Sequence, residues 1–80
     1  MNSMFLKLSQ AGWITAEYVP INSHATIMSA TDCEMPDGVA AEVKYDNKVY
    51  KVNKTMDAWL VNANGIVLEV INRAYLWGQS

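Results

Sequence analysis

The 80-residue chain holds one cysteine, one histidine, one arginine, two prolines and four isolated glycines. Each scarcity removes a class of protein. A lone cysteine cannot close an intrachain disulfide, so a small secreted scaffold held by disulfides is excluded. One cysteine and one histidine are too few soft ligands for a zinc site, and the spacing of a calcium loop is absent. Isolated glycines make no phosphate-binding loop, and there is neither a serine elbow nor a paired-histidine motif. No catalytic residue, metal or cofactor is therefore expected. No apolar run approaches the roughly 18 residues of a membrane-spanning helix. The amino-terminal MNSMFLKLSQ has no basic leader, and Lys7 interrupts its apolar residues, so it does not read as a signal peptide. A cytoplasmic protein that avoids membranes is expected.

Charge is scarce too. Only 18% of the residues are charged, against about 25% in ordinary domains. The net charge of −2 excludes a globally basic nucleic-acid binder but leaves room for a local basic patch.

What is abundant is apolar surface: 51% of the residues are hydrophobic. A chain of this length forms one domain, expected over residues 1–80, and buries only about 60% of the surface its unfolded form exposes. The surplus is expected in an interface, either with a second copy as a homodimer or with another protein.

Gly12, PINS at 20–23, MPDG at 35–38, DN at 46–47 and NG at 64–65 divide the chain into short pieces. The stretch 39–54 alternates apolar and polar residues on both sides of Asp46-Asn47, a hairpin signal because both residues tolerate positive φ. A loop at Asp46-Asn47 sets Val43 opposite Tyr50 and Ala41 opposite Val52. A loop at Asn47-Lys48 sets Tyr45 opposite Tyr50 instead, with the same apolar face. MFLKLS and WITAEYV read as strands joined by QAG, and HATIMSA as a third. Residues 55–63 are ambiguous. Met56, Trp59, Leu60 and Ala63 follow helical spacing, with Thr55 placed to cap and Gly65 to terminate. Asn64-Gly65 can equally be a type I′ turn. The helix accounts for more residues and leaves 66–72 as a buried strand. The expected fold is α+β but mainly β: a small antiparallel sheet or partly closed barrel of five or six strands, with one short helix near 55–63. An all-β meander is the alternative.

Three constellations remain. TDCEMPDG, residues 31–38, holds three of the eight acids and the only cysteine. Cys33 and His24 make a nucleophile and base only if folding joins them, and flanking acids disfavour a thiolate. The stretch reads as a loop whose Asp32, Glu34 and Asp37 face a basic partner. Lys44, Lys48, Lys51 and Lys54, interleaved with Tyr45 and Tyr50, are the residues a nucleic-acid-binding hairpin would use. Glu42 and Asp46 dilute that patch, and nucleic acid is the lesser reading. Arg73, Tyr75 and Trp77 share a spacing of two and would point to one side of a strand, as partner-binding residues do. Two tryptophans are expected in the core, with Trp77 exposed or docked.

In size, single-domain form and lack of catalytic motifs, the chain resembles small inhibitors of phages and mobile elements, anti-CRISPR proteins among them. That resemblance rests on no particular residue. It implies a non-enzymatic module that occludes a surface of a larger host complex, such as a nucleoprotein machine. A structural subunit of a phage assembly is the other expectation.

Overall fold

The computed structural model describes residues 3–77. Among them seven strands form two antiparallel sheets. The first sheet holds β1 (Met4–Gln10), β2 (Glu17–Ile21), β6 (Met56–Asn62) and β7 (Val67–Asn72), in the order β2-β1-β6-β7. The second is β3 (Thr26–Ser29), β4 (Val39–Tyr45) and β5 (Lys48–Asn53), in chain order. One 3₁₀ turn, Ala74–Leu76, follows β7. The fold is thus mainly β with almost no helix. It is not a meander, because β1 lies between β2 and β6. Nor is it a partly closed barrel, because the strands divide into two separate sheets.

The β4–β5 hairpin follows the first expected register. Tyr45 stands opposite Lys48, Val43 opposite Tyr50 and Ala41 opposite Val52. The loop residues Asp46 and Asn47 have φ of 54° and 62°, as a two-residue type I′ turn requires. The Asn47-Lys48 loop is excluded. Asn47→Val puts a β-branched side chain at that positive φ. It should cost about 1–2 kcal/mol in chemical denaturation, while Asn47→Gly should change stability by only a few tenths. Equal effects of the two would mean that the turn is built differently.

The expected helix at 55–63 is a strand. Met56, Ala58 and Leu60 are buried and alternate with half-buried Asp57 and Trp59, a period of two. Pairing with β1 along its whole length, Met4 opposite Asn62 through Gln10 opposite Met56, decides this. The helical spacing of Trp59 was coincidental: it turns away from Leu60 and Ala58 to the other face of the sheet. Asn64-Gly65 is not a type I′ turn either, since Gly65 (φ 81°) has a positive φ but Asn64 does not. Asn62 closes the loop instead, its Oδ1 accepting from the backbone N–H groups of Asn64 and Ile66.

β2 starts at Glu17, so Trp13 to Ala16 belong to the preceding loop. It runs through Pro20, which the PINS break did not anticipate. Proline is tolerated there because β2 is an edge strand. Leu6, Leu8, Val19, Ile21, Met56, Ala58 and Leu60 from the first sheet pack with Ala41, Val43 and Val52 from the second, and these form the core. No tryptophan belongs to it. Trp13 is exposed, whereas Trp59 and Trp77 are half-buried, so the expectation of two core tryptophans fails.

Candidate functional site

Two sheets of open strands have four edges, and each edge is a row of backbone groups able to pair with another chain. Three are blunted. β2 carries Pro20 in mid-strand, β3 is four residues long, and β5 carries Lys48 and Lys51. β7 has no lysine, arginine or proline; its one charge is Glu69. Among the described residues its only hydrogen-bonded neighbour is β6.

The expectation that 66–72 is buried fails here. Ile66, Val67, Leu68 and Val70 each leave about half or more of their surface in water. Four large apolar side chains exposed within five consecutive residues make this edge the candidate binding surface. The run of β-branched residues correctly predicts a strand, but only the sheet order makes it an edge.

Two irregularities shape that edge. Opposite Val61 and Leu60 stand Val67 and Glu69, so Leu68 is an extra residue; opposite Trp59 and Ala58 stand Val70 and Asn72, so Ile71 is another. The bulges set Val67 and Val70 together on the outer face with Trp59 and Val61. They set Glu69 and Asn72 on the inner face with Leu60 and Ala58.

Beside that inner face the sandwich is open. Between β7 and β3, the edge of the other sheet, lies a groove of about 280 Å³. Ala25, Ile27 and Ile71, all partly buried against the core, form its apolar floor. Asp32 and Glu69 line it with Ser29 and Thr31.

The outer face of the first sheet carries a stack of alternating rings and cations. Lys7 Nζ lies 5.8 Å from the Tyr18 ring centre and 5.2 Å from that of Trp59. The Arg73 guanidinium lies 5.4 Å from Trp59 and 5.3 Å from Tyr75. Each such contact contributes about 0.5–1 kcal/mol at an exposed site. Asp57 holds the end of the stack, its Oδ1 accepting from the Ala74 backbone N–H at 2.8 Å and from Arg73 Nε at 3.4 Å.

The residues singled out from the sequence are dispersed by the fold. Of the three loop acids, Asp32 reaches the groove; Glu34 and Asp37 stay on the exposed loop. Cys33 is exposed, and its thiol donates to the Ser29 carbonyl. His24 lies elsewhere, beside the β4–β5 turn. Among the described residues no three of His, Cys, Asp and Glu converge on a point.

Lys44 and Lys51 share the outer face of the second sheet with Glu42, which stands opposite Lys51, whereas Lys48 stands opposite Tyr45 on the other face. Lys54 turns to the Trp77 ring, 4.6 Å from its centre. The four therefore do not form one patch, and Tyr45 and Tyr50 pack against the core.

Arg73, Tyr75 and Trp77 do not share a strand face, because the 3₁₀ turn separates them. Arg73 and Tyr75 join the outer stack. Trp77 folds back, its indole Nε1–H donating to Asn72 Oδ1 at 2.6 Å. The sequence reading missed Ile66, Val67, Leu68, Val70 and Glu69, for which the available signal was an apolar run free of edge-blocking residues.

Comparison with family models, curated proteins and solved structures found no match.

Proposed function

We propose that the chain is a non-enzymatic protein-binding module that docks through β7 and the groove beside it. One observation carries this reading: β7 is an apolar edge strand that, among the described residues, pairs with no strand but β6. A partner's extended segment can add to it as a fifth strand, with ladder hydrogen bonds supplying affinity and side-chain pockets supplying specificity. In the fuller form of the proposal the module acts in a host cytoplasm. There it covers a surface of a larger complex, as small phage inhibitors do.

The test is the pair Val67→Lys and Val70→Lys, which adds the charges that ordinarily protect an edge. Both residues are about half exposed, so stability should fall by less than about 1 kcal/mol. Capture of a stoichiometric, nuclease-resistant protein partner by the tagged chain should drop more than tenfold. Undiminished capture by the folded double variant would remove β7 from the interface.

A further inference from the structure

The β7 edge selects among occupants by charge, and we infer that it takes an extended segment of another protein with a lysine or arginine between two apolar residues. The inference rests on the docking reading above and names the partner's chemistry.

The bulge at Leu68 carries the first step. Because of it, Val67 and Val70 both lie on the outer face, with a single inner position, Glu69, between them. A strand added alongside presents outer, inner and outer side chains to those three positions. Apolar residues fit opposite Val67 and Val70, where they extend the apolar face these two share with Trp59. The residue between them points inward, toward the groove.

The groove decides what that residue is. Its floor of Ala25, Ile27 and Ile71 suits an aliphatic stem, and Asp32 and Glu69 line it as acids. Among the described residues neither acid has a salt-bridge partner. Lysine and arginine combine an apolar stem with a cationic head and so match both features.

A second copy fits less well for the same reason. Antiparallel pairing of two β7 strands about a two-fold axis at Glu69 sets Glu69 against Glu69 across the axis. Like charges directly opposite are destabilising.

The probe is a seven-residue peptide, acetylated and amidated, of sequence Thr-Thr-Val-Lys-Val-Thr-Thr, compared with the same peptide carrying glutamate in place of lysine. Binding is followed by ¹⁵N amide shifts of the full chain at low salt. The lysine peptide should move the amides of 67–71 and bind about tenfold more tightly than the glutamate peptide, a difference that shrinks at high salt. In Glu69→Lys the order should reverse, which loss of folding cannot mimic.

Equal binding of the two peptides, or shifts confined to the Trp59 face, would overturn the inference. So would concentration-dependent dimerisation with β7 amides protected in the absence of peptide, which would make a second copy the occupant. If the peptides fail but lysines at 67 and 70 still abolish capture, the chemistry assigned to the partner is wrong and the docking edge stands. If capture also survives those lysines, the edge itself falls.

Discussion

Leu6→Ala should lower the thermal midpoint by about 15–30 °C. Leu6 is fully buried on β1, between Val19 on β2 and Leu60 on β6. Truncating a buried leucine loses transfer free energy and leaves a cavity, together about 3–5 kcal/mol. A chain of this length has a total stability of only about 4–12 kcal/mol, and each kilocalorie moves the midpoint of so small a domain by about 4–8 °C. Ile14→Ala is the control, since Ile14 is 99% exposed on the β1–β2 loop, and it should change stability by less than about 0.5 kcal/mol. Calorimetry of both variants decides. A shift below about 5 °C for Leu6→Ala would show that β1 is not the packed centre of its sheet.

Asn72→Ala should cost about 2–3 kcal/mol despite removing few apolar atoms. Among the described residues Asn72 is the buried polar one, 4% exposed. Its Nδ2 donates to the Met56 carbonyl oxygen at 2.6 Å, and its Oδ1 accepts from Trp77 Nε1–H at 2.6 Å. One side chain thus ties the end of β7 to the start of β6 and to the chain that follows. Alanine leaves the Met56 carbonyl and the half-buried Trp77 indole N–H without their bond, and a buried group left unsatisfied costs about 1–3 kcal/mol. Trp77→Phe removes one of these bonds and the Lys54 contact with the indole, but leaves the bond to Met56 in place. It should therefore cost less than Asn72→Ala in urea denaturation. In Asn72→Ala the Trp77 indole N–H resonance should also move toward its water-exposed position. An Asn72→Ala protein as stable as the parent would mean that water replaces both bonds.

These two sites were not equally legible in advance. Leu6 and Leu8 alternate with Phe5 and Lys7, so β1 and its buried side could be read locally. Asn72 could not be found that way, because its value lies in Met56 and Trp77, sixteen and five residues away. The β4–β5 hairpin and its apolar face were legible, since turn chemistry and side-chain period act within sixteen residues, but two registers fitted the sequence and the structure selected the Asp46-Asn47 loop. β6 was misread for the opposite reason. Its spacing suited a helix as well as a strand, and pairing with β1, about fifty residues distant, chose between them. The candidate site shows the same division. Asp32 was picked out by charge, but its meeting with Glu69 required β3 and β7 to become the facing edges of two sheets. The lysines and the Arg73–Trp77 set looked like patches only along the chain.

By itself the sequence determined the strand-rich character, the hairpin over 39–54 with its apolar face, and the apolar share of the composition. Those properties follow from composition and from interactions between near neighbours. Only the tertiary structure decided where the surplus lies. Sheet order is set by pairings between distant segments, and among the described residues it leaves β7 with one neighbour. The same run of Ile, Val and Leu would be core in a central strand and is an exposed edge here.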